Sequence, residues 1–549
     1  MGIYLNSKTP FHLFCAEAAA TYFVDKSQML WELIPLAESS EDMIKNSRTR
    51  KENPYICVTR PRRFGKTLMA SMIASFFGKG KDSRAVFEKL KIGTHEKFED
   101  HINKHNVIYI SFNQMPDECT SYTQYIGRIK KILRGDLRKA FPGWEISDED
   151  PVWDILTQIY EAEDNARFIF VLDEWDFIFH RDFAGDRDRA AFVEFLSNLL
   201  KGKGYVKLVY MTGILPIAKY SSGSELNMFL EYTMASEKAF DDCFGFTERE
   251  VDHLFERYQK NGRGNRVTRQ GLKEWYDGYH TYSGERMYNP RSVVAALTND
   301  NLGNYWTSSG PYDEIYFYIR NNIGDVREAL ALMVLGEAVP ARIKEYAATS
   351  MRLATKDEIF SAMVVYGFLS YENGKVSIPN RELMGKFEEM LRKEETLGYV
   401  YRLAKESDRM LEATLAGNVR VMEEILAYAH DTETPLLDYN HETELTAVVN
   451  LIYLSARDRY DIQREDKAGT GYVDFIFYPK YDRSLDGIIL ELKVDNTPEE
   501  AIQQIKDKQY DLRFKGKLGE EKLCSGRILA VGIGYDKRTK EHRCKMEVL

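Results

Sequence analysis

The chain has 549 residues, 44% hydrophobic and 29% charged, with a formal net charge of −10. About three to four domains are expected, because single cores stop growing well below that length, and the acidic balance excludes a protein that coats nucleic acid over its whole surface. No apolar run approaches ~18 residues, Glu17 interrupts the stretch from Phe11 to Ala20, and six scattered cysteines form no CxxC pair; membrane span, secretory signal, zinc site and disulfide framework all fall away, and a reduced, cytoplasmic protein is expected.

Tyr55 to Val58 is a short apolar run suited to a buried strand, and it leads into Arg60-Pro61-Arg62-Arg63-Phe64-Gly65-Lys66-Thr67. After that loop Leu68, Met69, Met72, Ile73 and Phe76 recur at helical spacing. Strand, loop and helix together form the context of a phosphate-binding loop. Backbone N–H groups and the helix N-terminus hold phosphates, Lys66 reaches the β- and γ-phosphates, and the Thr67 hydroxyl takes Mg²⁺. Arg60 stands where the pattern has glycine, and the plainer alternative is a basic strand-to-helix turn.

A second strand weighs against that alternative. Phe168 to Leu172 is wholly apolar and ends in Asp173-Glu174. Open parallel sheets bind ligands beyond the carboxyl ends of their strands, which puts both acids beside the loop. Asp173 is expected in the Mg²⁺ shell, and Glu174 is expected to position or deprotonate the attacking water. A third run, Lys207 to Met211, ends at Thr212-Gly213, where Thr212 could sense the γ-phosphate.

From about Tyr22 to Gly310 the chain resembles the AAA-ATPase-like family of P-loop proteins. The matching stretches are Val24-Asp25-Lys26-Ser27, the loop from Arg60 to Thr67, Leu172-Asp173-Glu174-Trp175-Asp176 and Thr212-Gly213-Ile214-Leu215-Pro216-Ile217. Phe244-Gly245-Phe246-Thr247, Trp275-Tyr276-Asp277-Gly278-Tyr279 and Tyr288-Asn289-Pro290 extend them. The resemblance makes Arg60 a family trait. It implies ATP as the nucleotide, with Arg60, Arg63, Gly65, Lys66, Thr67, Asp173 and Thr212 around it.

Phe246 to Tyr258 and the segment around Trp275 read as amphipathic helices, a lid over the nucleotide. Thr355 to Val365 is helical in pattern. Phe368 to Tyr371 and Lys375 to Ile378 flank an Asn373-Gly374 turn, and Glu382 to Leu391 is helical again, which suggests a winged-helix-like unit. Its hairpin tip is acidic and small, which favours passing movement between domains over touching DNA. Lys393 to Thr432 reads as a charged helical connector.

Glu442 to Tyr460 reads as a helix, Tyr472 to Tyr478 as a strand, and Gly487 to Val494 as its returning partner. Glu491 and Lys493 are two apart and leave one face of their strand. If the strands pair, Asp474 meets that face, and Asp474 and Glu491 can share a hard divalent cation. The acid, acid-x-lysine spacing is that of a metal-dependent phosphodiesterase, with Lys493 offsetting transition-state charge. The segment resembles the PD-(D/E)XK nuclease superfamily through Glu442, Gly471, Val473-Asp474, Glu491-Leu492-Lys493 and Ala501-Ile502-Gln503-Gln504-Ile505 with Lys508 and Tyr510. On that resemblance Glu442 assists the metal site, with Glu444 as its rival, and Gln504 projects towards it. From Lys506 to Lys545 basic residues outnumber acidic ones, which fits a phosphate backbone or a solvated helix face.

The expected fold is α/β: a P-loop NTPase-like parallel sheet over 1–235, a helical lid over 236–310, a winged-helix-like connector over 311–435, and a PD-(D/E)XK nuclease-like domain over 436–549. The expected function is an ATP-binding, ATP-hydrolysing protein whose nucleotide state controls a metal-dependent endonuclease. Mg²⁺ is the expected cation, with Mn²⁺ an alternative at the nuclease site. DNA is favoured over RNA as partner, no membrane is expected, and a homo-oligomer stays open. The competing reading is a non-cleaving nucleotide switch or scaffold that binds DNA or a protein.

Overall fold

The computed structural model describes residues 2–38, 53–163, 166–217, 225–234, 238–262, 266–306, 323–334, 336–343, 355–431, 442–468, 471–480, 482–514 and 524–549. The chain divides into two compact units, Met1–Ile315 with Pro340–Leu383, and Tyr316–Val339 with Met384–Leu549.

The first unit is built on a five-stranded parallel sheet. Its strands are β1 (Tyr55–Thr59), β2 (Asn106–Ser111), β3 (Phe168–Asp173), β4 (Val206–Gly213) and β5 (Leu230–Tyr232), in the order β2-β3-β4-β1-β5. Alternate residues of β1 to β4 enter opposite cores. Cys57, Ile108, Ile110, Phe170, Leu172 and Met211 pack on one face, and Ile56, Val58, Val107, Ile169, Val171 and Leu208 on the other. Both faces are therefore covered, which is why these strands read as continuous apolar runs. Helix α1 (Lys66–Phe77) follows β1 directly and lies on the second face.

Helices Glu248–Lys260, Arg269–Tyr276 and Pro290–Asn299 form a small cluster around Val251, Leu254, Leu272, Tyr276, Tyr288 and Val293. The first begins in a reciprocal cap: the Thr247 hydroxyl accepts from Glu250 N–H at 3.3 Å, and the Glu250 carboxylate accepts from Thr247 N–H at 2.9 Å. Helix Lys356–Tyr366 is followed by the antiparallel hairpin Ser370–Glu372 and Lys375–Ser377. Asn373 and Gly374 both have positive φ, 49° and 81°, as a tight two-residue turn requires. Glu382 anchors this segment. Its buried carboxylate accepts from the Ser292 hydroxyl at 2.8 Å and from Tyr305 and Trp306 N–H at 2.6 Å each.

In the second unit helices Tyr399–Lys405, Ser407–Ala416 and Val419–Asp431 lead to α2 (Glu442–Ile452). A mixed sheet follows: β6 (Tyr460–Ala468), β7 (Gly471–Pro479), β8 (Gly487–Val494), β9 (Ile528–Asp536) and β10 (Glu541–Val548), paired in that order. Only β8 and β9 run parallel among these neighbours, joined through α3 (Pro498–Asp507). Ile502 and Ile505 of α3 pack on Val473, Ile476, Ile489 and Ala530.

The helix expected to reach Tyr460 ends at Ile452, and Leu454–Asp458 forms a short 3₁₀ turn. Tyr460 instead opens β6, an edge strand paired to β7 over most of its length. Its sequence is polar and charged, as edge strands are, so its strand character comes from that pairing and not from apolar alternation.

Candidate functional site

The loop after β1 turns on left-handed residues, with φ of 69° at Arg63 and 90° at Gly65. A Cβ at Gly65 would meet no atom within 4 Å, so the backbone angle and not crowding calls for glycine there. Lys66 is the first residue of α1 and is buried, its Nζ donating to the carbonyls of Arg60 and Pro61 at 3.0 Å each. Burial lowers its pKa, against the pull of Glu174, Asp176 and Asp173.

Asp173 ends β3 and is wholly buried, with neither carboxylate oxygen hydrogen-bonded to a described residue. Burial and the Glu174 charge push its pKa up to about 7, while Thr67 and Lys66 pull it down. A buried acid so poorly supplied with donors is what a bound cation would stabilise, so Asp173 with Thr67 fits Mg²⁺. Arg62 to Thr67 and Glu174 line a cavity of about 1010 Å³, whose apolar wall includes Tyr22, Phe23, Val24 and Val294.

Two expected contacts lie elsewhere. Arg60 is buried, and its guanidinium donates to the carbonyls of Thr59 at 2.9 Å, Tyr232 at 2.8 Å and Phe240 at 3.2 Å. Burial lowers its pKa to about 10, with Asp241 opposing. It ties β1 to β5, so its side chain serves the sheet and not the phosphates. The Thr212 hydroxyl, also buried, donates to the Val58 carbonyl at 2.9 Å within the sheet.

The structure also adds Arg181 and Arg291 to the cavity wall. Arg291 is the second residue of helix Pro290–Asn299, at the positive end of the helix dipole where acids are preferred. After burial, Arg291 and Arg62 are the main causes that lower the Arg63 pKa. That crowding of cations suits an anionic ligand. An arginine directly after Asn289-Pro290, against the dipole rule, was the available sequence signal.

In the second unit β7 and β8 pair antiparallel as far as Phe475 opposite Leu490, and the next residue of each strand, Asp474 and Glu491, lies close to the other. Asp474 Oδ2 accepts from Leu492 N–H at 2.7 Å. Glu491 is buried; its Oε1 accepts from Lys493 Nζ at 3.0 Å and from the Gln504 amide on α3, while Oε2 has no hydrogen-bond partner among the described residues. Burial, then Asp474, push the Glu491 pKa up to about 7, against Lys493. Tyr510, which burial raises, lies beside Gln504 and the acids.

Two carboxylates, one with an unpartnered buried oxygen, fit a hard cation that keeps water ligands. Among the described residues no group of three or more His, Cys, Asp or Glu stands ready to enclose a metal. Glu442 opens α2, but its side chain and that of Glu444 lie outside the described residues.

Several basic residues of the stretch from Lys506 to Lys545 are ion-paired. Arg527 meets Asp486 at 2.6 Å, Lys537 meets Asp495 at 3.3 Å, Arg543 meets Glu541 at 3.3 Å and Lys506 meets Glu547. Part of the local excess counted along the chain is met by Asp486, Asp495 and Glu547 from outside it. Among the described residues no helix is long and apolar enough to cross a membrane.

Residues 17–222 match the family described as Predicted AAA-ATPase, and residues 442–539 match the PD-(D/E)XK nuclease superfamily. A curated relative, "Uncharacterized protein in vnfD 5'region" of Azotobacter chroococcum mcd 1, is 22% identical over 293 residues, covering 53% of this chain and 51% of its own. The chain thus spans about half the length of that relative. Among solved structures, a Walker-type ATPase of Pyrococcus abyssi is similar at a TM-score of 0.35 and 12% identity, over 64% of this chain and 95% of that one. A signal transduction ATPase with a tetratricopeptide repeat sensor from Pyrococcus horikoshii is similar at 0.22 and 11%, over 76% and 52%.

Proposed function

We propose that this chain, an AAA-ATPase-like domain joined to a PD-(D/E)XK nuclease superfamily domain, binds and hydrolyses ATP and uses its nucleotide state to control metal-dependent cleavage of nucleic acid. The observation that carries the reading is the nearness of Asp474 to Glu491 where β7 and β8 pair, beside Lys493 and Gln504. A divalent cation held by Asp474 and Glu491 would polarise the scissile phosphate and acidify a water. Gln504 orients the Glu491 carboxylate, and Lys493 supplies a cation against the charge that builds on the phosphate. In the first unit Lys66 neutralises the terminal phosphates, Thr67 and Asp173 hold Mg²⁺, and Glu174 orients the attacking water. DNA is the favoured substrate, and 236–310 serves as the lid.

The test is incubation of the full chain with DNA and with RNA, with and without ATP, in Mg²⁺ or Mn²⁺. Cleavage is expected with metal, changed by nucleotide, and reduced ~10²–10³-fold in Asp474→Ala, Glu491→Ala and Lys493→Ala, with ATP affinity untouched. A wild type that cuts neither nucleic acid under any of these conditions removes the nuclease half of the reading.

A further inference from the structure

The turn after β3 is strained at the residue on which hydrolysis would depend. Glu174 has φ of 55°, a left-handed conformation that is unfavourable for a side-chain-bearing residue and persists only where its surroundings over-determine it. Its surroundings are a set of hydrogen bonds to the end of β4. Trp175 N–H donates to the Thr212 carbonyl at 3.1 Å, and the Trp175 indole N–H donates to the Leu215 carbonyl at 3.1 Å. Asp176 Oδ2 accepts from both Ile214 N–H at 3.0 Å and Leu215 N–H at 2.9 Å. Trp175 and Asp176 are both buried, and His180 stands 3.8 Å from the same Asp176 oxygen.

Gly213 completes the contact. A Cβ there would lie 2.5 Å from Asp176 Oδ1 and 2.5 Å from Trp175 Cδ1, so no other residue lets the two segments approach this closely. The Gly213 carbonyl also accepts from Arg60 N–H at 3.2 Å, where β1 becomes the phosphate loop. The turn bearing Glu174, the end of β4 and the start of the loop are thus fastened at one point.

We infer that Asp176 is a positioning residue for hydrolysis. By accepting the Ile214 and Leu215 N–H groups across Gly213, it holds Glu174 in its left-handed conformation with the carboxylate facing the loop. The inference rests on the reading of Glu174 as the residue that orients the attacking water. The hold on Glu174 requires an acceptor at Asp176, because the hydrogen bonds at its Oδ2 come from the Ile214 and Leu215 backbone N–H groups. A purely structural role would lower stability without separating turnover from binding.

The experiment measures ATP affinity by calorimetry, kcat for phosphate release and Tm in the full chain for wild type, Asp176→Ala, Asp176→Asn and Gly213→Ala. Displacing a reacting group by about 1 Å costs on the order of 10²-fold in rate. Asp176→Ala and Gly213→Ala are therefore expected to lose about that factor in kcat with ATP affinity kept within about threefold. Asp176→Asn, whose amide oxygen can accept the same N–H groups, is expected to restore most of the rate. Wild-type kcat in Gly213→Ala, or Asp176→Asn as slow as Asp176→Ala, overturns the inference. Asp176→Asn and Gly213→Ala decide it if Asp176→Ala does not fold. A wild type that binds ATP without turnover also overturns it, while leaving nucleotide binding standing; a wild type that binds no nucleotide sinks the ATP reading itself.

Discussion

Asp173 illustrates how a buried acid weakens the fold that holds it. Its carboxyl has a pKa of about 7 in the folded chain against 3.8 ordinarily. As pH rises from about 4, the unfolded chain releases this proton first, so stability falls until about pH 7 and then levels off. At about 1.4 kcal/mol per pH unit the full cost is on the order of 4 kcal/mol. Asp173→Asn is expected to raise Tm without nucleotide, by more at pH 8 than at pH 5.5. An equal gain at both pH values would rule out the titration. Lys66→Ala is expected to remove ATP binding measured by calorimetry, since its ammonium is the buried cation of the loop, whereas Glu174→Gln should keep binding and lose turnover. Unchanged affinity in Lys66→Ala would refute the phosphate loop. The positions of Lys66 and Thr67 at the start of α1, and of Asp173 and Glu174 at the end of β3, were legible in the sequence because a loop pattern and a strand-end acid pair each have a fixed local meaning. Arg60 misled because the pattern reports position along the loop and not side-chain direction: its guanidinium turns to three carbonyls of the sheet.

At the scale of elements, local rules account for what they can reach. The Asn373-Gly374 turn, the strands β1, β3 and β8, and the start of helix Glu248–Lys260 follow from residues within a few positions of each other. The Thr247–Glu250 cap is one such case, strengthened by Lys26, whose Nζ lies 2.7 Å from Glu250. Thr247→Ala is expected to lower stability by ~1 kcal/mol, read as a shifted denaturation midpoint at unchanged slope. No shift would mean that Lys26 and Glu250 hold the helix start alone. Phe170, in the centre of β3 and wholly buried, is a stronger case, and Phe170→Ala should cost ~3–5 kcal/mol. Strand β6 escaped this reasoning because its Arg464, Glu465, Asp466 and Lys467 carry no apolar alternation. Long-range pairing to β7 overrode the local preference.

At the scale of the whole molecule, two units with separate cores are expected to unfold in two calorimetric transitions, so a single unfolding free energy does not describe the chain. ATP with Mg²⁺ at about 100 times its Kd should stabilise the first unit by ~2.7 kcal/mol and raise one transition only. A single transition, or equal shifts in both, would contradict this. The sequence by itself determined the α/β class, the strand–loop–helix context of Arg60 to Thr67, the acid pair at the end of β3 and the spacing of Asp474, Glu491 and Lys493 on two strands, because each is a pattern of near neighbours or of strand periodicity. Only the tertiary structure decided that β4 lies between β1 and β3, that Arg181 and Arg291 line the cavity at the loop, that Arg527, Lys537 and Lys506 meet acids elsewhere in the chain, and that Asp176 accepts from Ile214 and Leu215. Those facts depend on contacts between residues far apart in the chain, where the energy that selects a partner comes from packing and burial and leaves no local trace.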